Sequence, residues 1–287
     1  MKVAIIGIGA MGLAMAGHIA SAGFEVVAHD LDEAAMDAAR AAGLKTADRP
    51  AGLKGADVVL VMVATDGQSV SAVESLLDGI LTPGATIVVT ATNHPETMID
   101  LAGRCSTAGI DFVDAPVCYG LQGAKTGELV SLCGGPKDSI DRVTPVLSAY
   151  SRSVEHIGDH GAGQVAKTCN NMMHWAACVA NYETLALARA WGLDAQAMRE
   201  TLLKCPARNT TLERWDTTRF TWHEKDMDVA LGLAQETGLP LPLFGLVDQL
   251  VKRLGPDDVR QLLHEPEAGY LGAPIQSRSG PSPDKAG

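Results

Sequence analysis

The sequence predicts an α/β protein: a doubly wound N-terminal domain, then an all-helical one, joined by a long interdomain helix. Three observations carry this prediction. Short aliphatic runs alternate with helical stretches from the start of the chain to about residue 158. Those runs are apolar throughout, as strands of a parallel sheet are when both faces are covered. Beyond Gly158 the β-branched runs stop and one long helical pattern takes over.

The elements follow in order. The run "KVAIIG" at residues 2–7 reads as the first strand, and "AMGLAMAGHIASAG" behind it has the small and apolar spacing of a helix. "FEVVAHD" is the second strand. "LDEAAMDAARAAG" is an Ala-rich helix closed by Gly43. "DVVLVMVA", "ATIVVTAT", "DFVDAPV" and "GELVSLCGG" supply further strands, and "SVEHIG" ends the series. The segment "QVAKTCNNMMHWAACVANYETLALARAWG" then reads as one helix ended by Gly192. The expected division is therefore 1–158, 159–270 and a Ser-, Pro- and Gly-rich tail, 271–287, that reads as flexible.

The chain has 287 residues, of which 46% are apolar, so two modest cores can form. Its net charge of -11 argues against nucleic acid or an anionic membrane surface as a partner. No apolar run is long enough to span a membrane. The six cysteines form no CxxC pair and read as reduced, buried thiols, which points to the cytoplasm. The first strand starts almost at Met1, so no signal segment is expected ahead of it. Eight histidines include no HExxH, and no metal is expected.

"GIGAMG" sets Gly7, Gly9 and Gly12, with Ala10 and Met11 between them, directly after a strand and before a helix. Gly7 suits the tight turn, Gly9 the close approach of a pyrophosphate, and Gly12 the packing of helix on strand. The helix N-terminus faces the anion. This is the dinucleotide fingerprint of a Rossmann-type domain. Asp30 ends the second strand, where a carboxylate accepts the ribose hydroxyls and repels a 2′-phosphate. Leu31, Asp32 and Glu33 follow it with no arginine, so NAD is expected over NADP. Asp30 could also cap the next helix. His29 reads as a rim residue.

Between Asp159 and Glu183 the one formally charged residue is Lys167. On a helix Lys167, Asn171 and Trp175 fall at i, i+4 and i+8 and share a face. A lysine and an amide one turn apart can move a proton and orient a substrate. A lysine stem reaching out of a helix contact would look the same. Met172 and Met173 read as core filler.

Four motifs in register resemble the β-hydroxyacid dehydrogenase family, which includes 3-hydroxyisobutyrate dehydrogenase and tartronate semialdehyde reductase. They are "GIGAMG" with Asp30, "DAPVCYGLQGAKTGEL" at residues 114–129, "GAGQVAKTCNN" at 161–171 and "FTWHEKDMDVAL" at 220–231. The resemblance implies an NAD-dependent oxidoreductase acting on a CH–OH group, with Lys167 as general acid and base and Asn171 beside the substrate. It implies cofactor contacts from Val63, Ala64, Thr92 and Lys225, and substrate contacts from Cys118, Tyr119 and Gly120, with Trp175 toward the same end. A small hydroxy acid is the implied partner, and a homodimer or homotetramer the implied assembly.

One departure stands out. Where the family has Ser-Gly-Gly, this chain has Cys118-Tyr119-Gly120, so a different β-hydroxy acid is expected in place of the usual small ones. The competing readings are a non-catalytic NAD-binding scaffold and an imine-reductase-like enzyme. A scaffold would not need Lys167 and Asn171, and imine reductases usually lack that lysine. A decarboxylating sugar-phosphate dehydrogenase would need more basic residues than the Lys125 found in this loop.

Overall fold

The computed structural model describes residues 1–277. It divides into two compact units, Met1–Lys167 and Thr168–Gly287. The first unit alternates strand and helix: β1 (Lys2–Ile6), α1 (Ala10–Ser21), β2 (Glu25–His29), α2 (Glu33–Ala41), β3 (Lys45–Thr46), β4 (Val58–Val61), α3 (Asp66–Leu77), β5 (Thr86–Val89), α4 (Pro95–Thr107) and β6 (Asp111–Asp114). It continues with β7 (Val117–Cys118), α5 (Gly120–Thr126), β8 (Leu129–Gly134), α6 (Lys137–Leu147) and β9 (Ser151–Gly158). The helix α7 (Ala162–Ala190) begins in this unit and runs on into the second.

The sheet order is β3-β2-β1-β4-β5-β6-β8-β7, with β9 also paired to β8. From β3 to β6 every pairing is parallel. The doubly wound pattern therefore stands, with one addition: β8 runs antiparallel to both β6 and β7. That reversal carries the "DAPVCYG" loop. Alternate residues of the strands feed two separate cores. Ile5, Leu60, Val88 and Val113 pack on one face, and Ala4, Val59, Ile87 and Phe112 on the other. The strands read as continuous apolar runs because both faces are covered.

The second unit is helical: the rest of α7, then α8 (Ala195–Leu202), α9 (Thr210–Glu213), α10 (His223–Thr237), α11 (Pro242–Val251) and α12 (Pro256–His264). Trp175, Tyr182, Leu185, Trp215, Met227, Val251 and Leu262 form its core. Among the described residues no helix is long and apolar enough to cross a membrane.

Several expectations change. The units divide within α7, at Lys167, and not ahead of it. His29 is buried, with a ring nitrogen, Nδ1, 2.8 Å from the Ala47 carbonyl. It lies on an interior strand with both faces covered, so it has no rim position to take. Met173 is 70% exposed, on the side of α7 away from the core. Cys105, Cys118, Cys133 and Cys178 are buried, but Cys169 is exposed and Cys205 partly so. The expected flexible tail is ordered at its start. There β11 (Ala273–Pro274) pairs with β10 (Gly269–Tyr270), while residues 278–287 lie outside the described residues.

Candidate active site

The glycine loop is built by sterics. Gly7 leaves β1 with φ +89, and a Cβ there would lie 2.1 Å from the Met62 carbonyl oxygen. A Cβ on Gly12 would lie 2.0 Å from the Gly7 carbonyl oxygen, so α1 can pack this closely only with glycine at that position. Gly9 is different. Nothing lies within 4 Å of the Cβ it lacks, and it caps α1 without a side-chain hydrogen bond. The first-turn N–H groups of α1, those of Ala10 and Met11 among them, have no intrahelical partner and no side-chain cap, which fits a pyrophosphate.

Asp30 stands directly after β2. One carboxylate oxygen accepts the Ile8 N–H at 2.7 Å, and the other accepts the Asp32 N–H at 2.9 Å. The N-cap of α2 is Asp32, not Asp30. Asp30 is therefore held against the glycine loop, where the ribose end of a dinucleotide would meet it. Val63 lies beside Gly7, with Cγ1 3.1 Å from the missing Cβ. The Ala64 N–H donates to Gln68 Oε1 at 2.9 Å, inside the capping box of α3.

Thr92 sits in the turn between β5 and α4. Both its neighbours are tied to Gln164 of α7, a residue with no exposed surface. The Asn93 N–H donates to Gln164 Oε1 at 2.9 Å, and Gln164 Nε2 donates to the Ala91 carbonyl at 2.9 Å. The Thr92 turn is thereby fixed to the helix that carries Lys167, less than one turn before it.

The start of α7 is fixed a second time by Asp114, at the end of β6. Its Oδ1 accepts the Gly161 N–H at 2.7 Å and its Oδ2 the Gln164 N–H at 3.2 Å. A carboxylate at a helix N-terminus satisfies donors that the helix cannot. Burial pushes the Asp114 carboxyl above its ordinary range, with the two backbone donors pulling the other way. Gly163 lets the helix close on the sheet, since a Cβ there would be 2.3 Å from the Leu132 carbonyl oxygen.

These anchors aim Lys167. Its side chain is half-buried, and Nζ lies 3.9 Å from Cys118 Sγ at the end of β7. Among the described residues it forms no ion pair. Spacing alone does not pair Lys167 with Cys118, 49 positions away; the structure brings the two together.

Tyr119 follows with φ +84, in the left-handed region that glycine adopts at no steric penalty. Such a backbone costs about 1–3 kcal/mol for a residue with a side chain. The Tyr119 phenol accepts a hydrogen bond from Arg152 Nη2 at 2.5 Å, and the guanidinium carbon lies 4.3 Å from the ring centroid. Gly120 also has positive φ, +56, and begins α5. In turn α5 is tied to the cofactor helix, because His18 of α1 lies 3.1 Å from the Lys125 carbonyl through Nε2.

In the second unit, Asn171 is 8% exposed and lies one turn beyond Lys167 on α7. Its Oδ1 accepts from Asn170 Nδ2 at 3.2 Å. Trp175 is a core residue. It is 4% exposed, donates its indole N–H to Asp226 Oδ2 at 2.9 Å, and packs edge-on against His223 with ring centroids 5.8 Å apart. The helical face that it shares with Lys167 has turned inward by this point, so the expected substrate contact gives way to packing. Lys225 lies in the first turn of α10, next to Asp226. Among the described residues no cluster of metal-ligating side chains occurs.

Sequence reasoning missed Gln164, the anchoring role of Asp114, and Arg152. The only signal was the amide and carboxylate falling within uncharged runs. What they meet is set by strands and turns far away in the chain.

Comparison with known proteins agrees with this geometry. Residues 2–158 match the family described as the NAD binding domain of 6-phosphogluconate dehydrogenase. Residues 161–264 match that described as NAD-binding of NADP-dependent 3-hydroxyisobutyrate dehydrogenase. The chain is similar to the 3-hydroxyisobutyrate dehydrogenase of Pseudomonas aeruginosa, with 35% identity over 218 residues, 75% of this chain and 73% of that one. It is also similar to the NAD-dependent L-serine dehydrogenase of the same organism, with 33% identity over 216 residues, 74% of this chain and 72% of that one. Among solved structures, the Mycobacterium tuberculosis 3-hydroxyisobutyrate dehydrogenase with L-serine shares the fold at a TM-score of 0.81. It covers 92% of this chain and 99% of that one at 24% identity. With a glycine loop that admits no side chain at Gly7 or Gly12, a carboxylate held to it and a lysine near the loop after β7, the chain belongs to the β-hydroxyacid dehydrogenase family.

Proposed function

We propose that this protein is an NAD-dependent oxidoreductase that moves a hydride between NAD and a β-hydroxy acid or its carbonyl form, with Lys167 as the proton-transfer group. The observation that carries this reading is the approach of Lys167 Nζ to Cys118 Sγ, 3.9 Å, which brings an amine without a carboxylate partner to the loop expected to hold the substrate.

Gly7, Gly9 and Gly12 with the first turn of α1 hold the pyrophosphate of the dinucleotide, and Asp30 takes the adenosine ribose. Val63, Ala64 and the Thr92 turn lie along the nicotinamide half. NAD, when bound, supplies the hydride acceptor. The chain's own work is on the proton. Lys167 accepts the hydroxyl proton as the C–H bond breaks and donates it back in reduction. Such a base must lie within hydrogen-bond reach of the hydroxyl whose proton it takes. Asn171, one turn on, orients the same oxygen. The backbone around Cys118, Tyr119 and Gly120 receives the substrate carboxylate.

The test is an NADH-formation screen across 3-hydroxy acids of increasing size, run beside Lys167→Ala. A general acid–base group contributes about 100- to 10,000-fold. The variant should lose turnover by that factor while binding NAD as before. Wild-type kcat in the variant would make Lys167 structural.

The assembly reading is a homo-oligomer in the cytoplasm, dimeric or tetrameric. Met173 and Leu187 fall within one face of α7, with Trp191 just past its end, and they are 70%, 62% and 61% exposed. An apolar stripe of this kind marks an interaction surface. A monomer by light scattering at micromolar concentration would remove this part of the proposal.

A further inference from the structure

Position 119 is the one place in the substrate loop where a side chain occupies a glycine conformation, at φ +84. Something must hold it there. Within the loop, the Gly123 N–H donates to the Tyr119 carbonyl at 3.2 Å. Gly123 can make that approach only because it lacks a Cβ, which would lie 2.6 Å from the Tyr119 Cβ. The side chain itself is held from a different strand. Arg152 of β9 donates from Nη2 to the phenol oxygen at 2.5 Å and lays its guanidinium carbon 4.3 Å from the ring centroid.

The position of Arg152 is unusual. The β8–β9 register runs Leu129 to Ser151 and then Val130 to Ser153, so Arg152 is the extra residue of a bulge. A bulge re-aims the side chain of its extra residue. Among the described residues Arg152 pairs with no carboxylate, so its orientation is not set by an ion pair. Its hydrogen-bonded and ring contacts are both to Tyr119.

We propose that Arg152 is a positioning residue for the substrate loop. By gripping the Tyr119 ring it keeps residue 119 in the left-handed conformation and so directs the backbone N–H groups of Tyr119 and Gly120. The bulge in β9 and the tyrosine in the loop then form one device. A glycine at 119 would need no grip, and a tyrosine without Arg152 would relax toward an extended backbone and swing those donors away. The effect on substrate rests on the functional reading above; the effect on the backbone does not.

Four proteins test this: wild type, Arg152→Ala, Tyr119→Gly and the double variant. Hydrogen exchange is followed at the amides of residues 118–123 alongside steady-state kinetics on the best hydroxy acid from the panel. Arg152→Ala should speed exchange in this segment by about tenfold or more and raise KM for the hydroxy acid about tenfold, with kcat within about twofold and KM for NAD unchanged. In the Tyr119→Gly background the same substitution should change exchange and KM by less than about twofold. Exchange that is unaltered by Arg152→Ala overturns the proposal, as does an equal effect in both backgrounds, which would make Arg152 a general support of β9. Faster exchange with an unchanged KM leaves the clamp standing and removes the assignment of this loop to the substrate.

Discussion

Lys167 Nζ and Cys118 Sγ are 3.9 Å apart, so the atom beside the proposed proton-transfer group is a sulfur. A thiol is a weak donor and a larger atom than a hydroxyl oxygen. Position 118 therefore faces Lys167, while the phenol at position 119 faces Arg152.

The first consequence is for substrate choice. Cys118→Ser should shift relative kcat/KM toward small acids such as 3-hydroxyisobutyrate by about tenfold, within the 1–3 kcal/mol (about 10–200-fold) that pocket changes usually bring. NAD affinity should be unchanged, since the glycine loop is elsewhere. Wild-type protein should turn over 3-hydroxyisobutyrate slowly or not at all. If it is already the best substrate and Cys118→Ser does nothing, the loop's departures are neutral.

Cofactor choice rests on Asp30. Its carboxylate already holds the Ile8 and Asp32 N–H groups, at 2.7 and 2.9 Å, and keeps lone pairs for a ribose. Asp30→Asn should raise the Kd for NAD about tenfold or more, as expected for losing a charge-assisted hydrogen bond of about 1.5–3 kcal/mol, and narrow the preference over NADP. Equal kcat/KM for the two cofactors in the wild type contradicts this.

Asp114 gives a prediction in pH. Burial raises its carboxyl above the ordinary 3.8. A folded-state value above the unfolded one means that its contribution to stability is complete below 3.8 and is lost as pH rises through the folded value. Asp114→Asn abolishes the titration and turns an amide toward the Gly161 and Gln164 N–H groups, which should destabilise the protein by about 1–3 kcal/mol. The gap in stability between wild type and variant, measured by denaturant unfolding, should narrow as pH rises above 3.8. A gap that widens across that range would show that the carboxylate form is the one the fold prefers.

Much of this was legible in the sequence, for a physical reason. The Gly7–Gly12 spacing and the helical period of Lys167 and Asn171 are local patterns, so the sequence displays them, though the period alone left Lys167 open between a working group and a helix-contact lysine; the Met62 carbonyl that bars a side chain at Gly7 is long-range and was not legible. Arg152 was not legible, because a bulge exists only once two strands have paired and their register is known. Gln164 and Asp114 meet partners more than forty positions away. Trp175 shows the limit of periodicity: it shares a nominal face with Lys167, yet what packs on that face changes along the helix, from the Cys118 loop to a core of aromatic rings.

Lys167 and Asn171 are carried by one unbroken helix although they belong to different compact units. Their offset along the axis is set by four residues of helical rise, about 6 Å, and by nothing else. A catalytic pair drawn from two separate loops would lose its alignment whenever either loop drifted. Here the proposed proton acceptor and orienting amide are two marks on one helical ruler. Substitutions elsewhere in either unit can alter what reaches that ruler without altering the distance between its marks.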